Sequence, residues 1–343
     1  MQAWRRLTTA ERARRAGAGE GTLVACSGGA DSSALVLALA AAVSGGKAGR
    51  ARIVVGHVVH DLRPRREAEA DRDAARRLAE MVGAEFVEAK VRVREKGGNL
   101  EGAARKARYG ALVKMAKREG VRFVATAHHA DDQLETLLMA LMRGAGPRGM
   151  AGVRRSRALG GEGAGRVMLI RPMIEAAVER ADAERICGAA GWEWREDATN
   201  ADTTRFRAAV RARLVPIMRE LRPGTARRAC GTARVMADAA RLVDGRAGSV
   251  WAMAEERGPG RAVWDRERLR RCAPTVLGEV MRIAASEFIG SGADRMGGRV
   301  SAPVIRAIRD DSTEPRRFDV GGKNGLRVDI TARTVTIAAR SQR

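Results

Sequence analysis

The chain has 343 residues, 45% hydrophobic and 31% charged, and its 64 Lys and Arg against 41 Asp and Glu leave a net charge of +23. That balance excludes wholesale disorder, collagen-like and low-complexity chains, and the length suggests two or three domains. The longest apolar run, Ala34 to Val43, is ten residues, far short of the roughly 20 that a membrane-spanning helix needs, so no membrane partner is expected.

A pI near 11.3 attracts phosphate backbones at long range and makes nucleic acid the leading partner class. Only 7 of the basic residues are Lys, and an Ala-, Gly- and Arg-rich composition is what GC-rich codons favour, so part of the charge is compositional. Arg is nonetheless the better bidentate phosphate ligand. Cys26, Cys187, Cys230 and Cys272 lie far apart with no Cys-x-x-Cys pair, which disfavours a zinc ribbon, an iron-sulfur site or a disulfide scaffold and fits a reducing compartment. Residues 1–20 form a basic extension without the apolar core of a secretory signal. A cytoplasmic protein is expected, with a homo-oligomer left open.

From Gly21 onward, short β-like runs alternate with helical stretches, the pattern of an α/β parallel sheet covered on both faces. The strands are expected at Thr22 to Cys26, Ile53 to His57, Glu85 to Ala89, Arg122 to Thr126 and Val167 to Arg171. The intervening helices are expected at Ser32 to Val43, Glu67 to Met81, Asn99 to Arg118 and Asp131 to Met142. Gly144 to Gly165 reads as a long loop, Ala176 to Ala190 and Arg205 to Leu221 as helices, and Arg222-Pro223-Gly224 as a break. Residues 223–300 read as mostly helical, and 301–343 as a small segment with a β-hairpin between Val320 and Ala338. The expected organisation is therefore an extension at 1–20, a catalytic domain at 21–222 and the two C-terminal segments.

Ligands of such sheets bind beyond the C-terminal ends of the strands. There the chain carries Ser27-Gly28-Gly29-Ala30-Asp31-Ser32, His57-Val58-Val59-His60, and His128-His129-Ala130-Asp131-Asp132-Gln133-Leu134-Glu135-Thr136, which together hold all four histidines. The glycine pair lets consecutive N–H groups form an anion nest at a helix N-terminus, with hydroxyls at either end. No Lys follows Ser32 as a Walker A loop requires, and the GxGxxG fingerprint is absent. Asp132 and Glu135 stand three apart at a helix start, so their carboxylates point the same way; charge placement near a helix N-terminus would also explain them. Glu101, Arg105 and Arg108 recur at helical spacing and would serve equally as a solvated face. Zinc ligation by the histidines is disfavoured without a helical HExxH.

These residues resemble a known family. Ser27 to Ser32 is similar to the SGGxDS loop of the N-type ATP pyrophosphatases (PP-loop enzymes), which cleave ATP between the α and β phosphates. Within that superfamily the chain resembles the tRNA(Ile)-lysidine synthetases over roughly residues 22–216. His57 to Arg63 resembles HxNHxLR, Asn99 to Glu101 and Ala104 to Tyr109 resemble NxE and ARxxRY, Thr126 to Thr136 resembles TAHHxxDQxET, and Arg143 to Gly146 resembles RGxG. Arg171-Pro172, Asp197, Thr199-Asn200 and Arg207 through Arg211 to Pro216 complete the order. Val59, Asp61 and Ala208 depart from the family pattern of Asn, Gly and Asn.

The resemblance implies a Rossmann-like (adenine nucleotide alpha hydrolase-like) PP-loop domain. It implies ATP as co-substrate, with Ser27, Gly28, Gly29, Ala30, Asp31, Ser32, His57, His128 and Arg143 as nucleotide-binding residues, and Mg2+ on Asp31. Asp132, Glu135 and Arg105 would be catalytic, the acids holding the lysine ammonium or assisting its deprotonation and Arg105 stabilising the α phosphate. The implied partners are L-lysine and the isoleucine tRNA with a CAU anticodon, whose wobble cytidine would receive the lysine, and the C-terminal segments would grip that tRNA. The competing readings are another PP-loop tRNA-modifying enzyme of the thiolase kind and a non-catalytic RNA-binding protein.

Overall fold

The computed structural model describes residues 2–13, 21–44, 51–61, 64–93, 100–160, 166–196, 206–290, 298–322 and 325–340. Two compact units result, one of residues 1–139 and 153–232, the other of 140–152 and 233–343. The expected boundary at 222–223 is the break between two helices, and the units part ten residues later.

The first unit contains α1 (Gln2–Ala13), β1 (Thr22–Ala25), α2 (Ala30–Ser44), β2 (Ile53–His60), α3 (Arg65–Met81), β3 (Glu85–Val91), α4 (Leu100–Arg118), β4 (Phe123–Ala125) and the start of α5 (Ala130–Met142). After the short α6 (Pro147–Met150) of the other unit come β5 (Ser156–Gly160), β6 (Val167–Ile170), α7 (Pro172–Glu175), α8 (Arg180–Ala189), α9 (Phe206–Leu221) and the first turns of α10 (Thr225–Ala252). The sheet runs β3-β2-β1-β4-β6-β5, parallel except for β5, which pairs antiparallel with β6. Strand alternation sends Leu23, Val54, Val124 and Leu169 to one core, and Val24, Val55, Phe123 and Ile170 to the other.

Two expectations are corrected here. The basic stretch at 1–20 is not a bare extension, because Gln2–Ala13 is a helix whose Trp4 is buried in the sheet core and donates Nε1 to Thr22 Oγ1 at 3.2 Å. Its arginines hid a narrow inward stripe, Ala3, Trp4, Leu7 and Thr8, at helical spacing. Residues 144–165 are not one loop, since they include α6 and β5; a five-residue edge strand reading Ser-Arg-Ala-Leu-Gly has little apolar signal. Asp61, a departure from the family pattern, holds structure together here. Its Oδ1 accepts from Val93 N at 2.8 Å, tying the end of β2 to the segment after β3.

The second unit holds the rest of α10, β7 (Glu256–Gly258), β8 (Arg261–Asp265), α11 (Arg266–Arg270), α12 (Pro274–Phe288), α13 (Gly298–Arg309), β9 (Arg316–Val320), β10 (Leu326–Ile330) and β11 (Thr334–Ala339). Its antiparallel sheet runs β7-β8-β11-β10-β9. The helical and β-containing segments expected as separate pieces are one body, because Trp251, Trp264, Leu277, Met281, Ile308, Val328 and Ile337 share a core. Segment 140–152 joins it through Arg148, whose Nη2 reaches Asp244 Oδ2 and Glu279 Oε1, both at 2.8 Å. At its centre Arg266, 3% exposed, donates to Ile308 O (3.2 Å), Ala307 O (2.9 Å), Asp310 O (2.9 Å) and Ser312 O around the end of α13 and to Thr331 O (3.3 Å) in the turn after β10.

Candidate active site

The chain leaves β1 toward β2 on one side and β4 toward β6 on the other, so the C-terminal ends of β1 and β4 flank a topological switch point. The loop from Ser27 to Ser32 follows β1, and His128 and His129 follow β4. The candidate residues of the sequence cluster here, and the fold brings most of them together.

Gly28 has φ +87°, and a Cβ there would lie 3.2 Å from Asp71 O of α3, so both conformation and space require glycine. Ser32 knots the loop: its Oγ accepts from Ser27 N at 3.1 Å, lies 3.1 Å from Ser27 Oγ, and donates to Gly29 O at 3.0 Å. The Ser32 hydroxyl is thus engaged inside the loop, and the exposed Ser27 is the hydroxyl left to face a ligand. Gly29, Ala30 and Asp31 enter the first turn of α2, where backbone N–H groups lack helical partners. Arg195 straps the loop from outside, donating N to Gly28 O at 3.1 Å and Nε to Asp71 Oδ1 at 2.7 Å.

His57 is buried and donates Nδ1 to Cys26 O at 2.9 Å; burial pushes its pKa down, so it is neutral. His128 lies 3.1 Å by Nδ1 from Thr126 Oγ1, and burial, with Arg171, Arg105 and Arg207 nearby, pushes its pKa down to about 3 against the pull of Asp132. His129 behaves oppositely. Burial lowers its pKa, but the acids around it outweigh burial and raise it to about 10. Nδ1 lies 3.2 Å from Asp131 Oδ2, without a hydrogen bond's alignment, and Nε2 lies 3.5 Å from Asp31 Oδ2 and 3.7 Å from Asp132 Oδ2. A cationic imidazolium therefore joins the acid of the Ser27 loop to the acids of α5.

Asp132 Oδ2 accepts from His129 N at 3.0 Å and Oδ1 from Arg207 Nη2 at 2.6 Å. Burial alone would raise its pKa, and His129 and Arg207 bring it below the usual carboxylate range. Glu135, 1% exposed, accepts from Arg207 Nε and Arg211 Nε, each at 2.6 Å, and from Arg211 Nη2 at 3.2 Å. Both acids are neutralised by α9. In the sequence Arg207 and Arg211 stand in a motif with no role attached, although their spacing of four puts them on one helix face. Nothing in the sequence pointed to Asp131 either, which accepts from Arg180 N at 2.9 Å and pairs with Arg219.

Arg105 is exposed on α4 and donates Nη2 to Tyr109 Oη at 3.4 Å. Arg143 is exposed after the last turn of α5 and belongs to the second unit. Leu62, Arg63, Asn99, Asp197, Thr199 and Asn200 of the family-like motifs lie outside the described residues. Asp31 Oδ1 is buried without a hydrogen-bond partner, a carboxylate oxygen that a hard cation would satisfy. Among the described residues no group of three or more His, Cys, Asp or Glu gathers as a metal site, so phosphate oxygens and water would complete such a shell.

A glycine-turned loop feeding a helix N-terminus at the switch point of a parallel sheet, faced by an acid cluster, defines a nucleotide-binding protein of the PP-loop class. Residues 6–218 match the PP-loop domain family. The tRNA(Ile)-lysidine synthase of Salinispora arenicola is 38% identical over 270 residues, 78% of this chain and 76% of that protein. The tRNA(Ile)-lysidine synthase of Bordetella pertussis is 39% identical over 246 residues, 70% of this chain and 72% of that protein. A solved structure, the U34-tRNA thiolase NcsA from Methanococcus maripaludis with its 4Fe-4S cluster, aligns with TM-score 0.49 and 15% identity over 64% of this chain and 73% of that one. The chain belongs to the PP-loop tRNA(Ile)-lysidine synthases, a family of enzymes.

Proposed function

We propose that this chain is a ligase that joins lysine to C2 of the wobble cytidine in the CAU-anticodon isoleucine tRNA, working in the cytoplasm with ATP. The observation that carries the reading is the juxtaposition of the Ser27 to Ser32 loop with the Asp31–His129–Asp132 cluster at the β1/β4 switch point. The cytidine O2 attacks the α phosphorus of ATP and releases diphosphate. The lysine ammonium gives up a proton to solvent water, its free ε-amine attacks C2, the C2–O bond breaks with the oxygen leaving on AMP, and the second amine proton is lost to water as the new C–N bond forms. The anticodon is single-stranded, so its wobble base can unstack to enter such a site.

In this mechanism the first-turn N–H groups of α2 and the Ser27 hydroxyl cradle the phosphates. Neutral His57 and His128 line the site without adding charge. Asp31 would hold Mg2+, which shields phosphate charge when bound. Asp132 and Glu135 attract the lysine ammonium, for which Arg207 and Arg211 must share or yield them. A carboxylate held below its ordinary pKa is a poor base, so Asp132 acts by attraction and positioning rather than by taking the amine proton. A sulfur-transferring chemistry would need a thiolate, and here burial pushes the Cys26 thiol up and the Cys187 thiol to about 11.

The test is to incubate the full chain with ATP, Mg2+, lysine and the CAU tRNA, digest the RNA and weigh its nucleosides. The expected product is a cytidine in which lysine has replaced O2. Unmodified cytidine at that position under all conditions contradicts the reading.

A further inference from the structure

Beside the acid cluster, three arginines converge on one tyrosine. The Arg157 guanidinium of β5 lies 4.9 Å from the Tyr109 ring centroid, and that of Arg105 lies 5.3 Å from it. Arg171, directly after β6 and 2% exposed, neighbours Tyr109 and both of these arginines. Its Nη1 donates to Arg154 O, while its Nε is buried with no partner. Cation–π attraction accounts for two guanidinium groups on the ring, but not for a third, buried beside them.

Among the described residues, no carboxylate forms an ion pair with Arg157 or Arg171. By contrast, the buried acid Glu135 is doubly paired and the buried Arg266 is saturated by carbonyls; Arg122 also has two orphaned nitrogens, but it stands at the start of β4, at the opposite end of the strands from the candidate site. Arg171 is buried while Arg157 is partly exposed and Arg105 exposed, and a buried cation held beside two like charges costs stability unless an anion completes it. Arg presents a planar fork suited to phosphate oxygens, and the place lies at the same strand edge as the candidate active site.

We propose that Arg157 and Arg171, with Tyr109 and Arg105, form an oxyanion receptor for a phosphate group of the reacting complex, either a phosphodiester of the RNA or a phosphate of the nucleotide. The proposal rests on the functional reading above and adds a site to it. Arg157 sits on an edge strand that the sequence pattern reads as loop, so only the fold brings it to Tyr109.

The test uses the full chain, with Arg157→Gln, Arg157→Lys and, as a charge-matched control, Arg77→Gln from the exposed face of α3. Two affinities are measured for each by equilibrium binding: that for the CAU tRNA over a range of salt concentrations, and that for ATP. A phosphodiester at this site predicts several-fold weaker tRNA binding by Arg157→Gln, with a salt slope shallower by about 1, partial recovery in Arg157→Lys, and ATP affinity unchanged. A nucleotide phosphate predicts the converse, with ATP affinity falling and tRNA affinity retained. Arg157→Gln matching Arg77→Gln in both arms overturns the proposal. Failure of the functional reading shows separately, as wild-type protein that binds these ligands yet never modifies the cytidine.

Discussion

Arg266 and Arg171 are almost equally buried, one in each unit, and their surroundings are opposite. Arg266 spends its donors on five backbone carbonyls, four around the end of α13 and one in the β10–β11 turn, and Asp310 Oδ1 lies 3.0 Å from its Nη2. Arg171 donates to one carbonyl, has the Tyr109 hydroxyl as its other partner, and leaves Nε orphaned beside two more arginines. A buried cation that the chain itself saturates is architecture, because it replaces its lost hydration within the fold. One left unsaturated at a strand edge stores an unfilled requirement, and the edge of a parallel sheet is where ligands arrive. The same distinction separates Glu135, closed by Arg207 and Arg211, from Asp31, whose Oδ1 is bare.

The largest effect should come from breaking the saturated partner. Arg266→Met strands the carbonyls that end α13 and should cost about 3–5 kcal/mol, visible as early loss of hydrogen-exchange protection in β8–β11 with the first unit unchanged. An equal loss in both units would show that they are not independently held. Glu135→Gln comes next. It keeps the shape but removes the charge that two half-exposed arginines share, and should cost about 1–3 kcal/mol in chemical denaturation while abolishing lysine-dependent AMP formation. Retained activity would remove Glu135 from the site. Gly28→Ala forces a positive φ on alanine and crowds Asp71 O, costing about 1–2 kcal/mol and raising the KM for ATP more than it lowers kcat.

The smallest effect near neutrality is one of pH, and its direction differs between units. His129 is raised from 6.5 to about 10, so the stabilisation from its charge is complete below pH 6.5 and fades as pH climbs toward 10. Asp310 is depressed from 3.8 to about 2 by its hydrogen bond to Arg316, against the opposing effect of desolvation, so its contribution is complete above pH 3.8 and fades as pH falls through 2. In metal-free protein, hydrogen exchange should therefore loosen the first unit on the alkaline side and the second on the acid side. His129→Gln should flatten the alkaline limb, and an unchanged limb would assign it to another group.

Much of the first unit was legible because its central strands are short apolar runs, and the loop after β1 carries an uncommon residue order. The edge strand β5 was not, since Ser156 to Gly160 has neither the hydrophobicity nor the length to stand out. Strand β7, three exposed residues reading Glu-Arg-Gly, hid within a helical stretch for the same reason. In the site, spacing put Asp132 and Glu135 on one side of a helix start and the family resemblance singled them out, but what neutralises them comes from about 75 residues downstream, and only the packing of α9 brings Arg207 and Arg211 there. The Tyr109 cluster likewise draws on α4, β5 and the end of β6, so sequence proximity carried no sign of it.

The most direct test of the central claim is AMP release by the purified chain with ATP and Mg2+, crossed with lysine and with isoleucine tRNA carrying either CAU or a substituted position 34. Lysidine synthesis predicts AMP only when lysine and the CAU tRNA are both present, in step with lysine bound to the RNA. AMP that ignores lysine, or that forms equally with the position-34 variant, would contradict it.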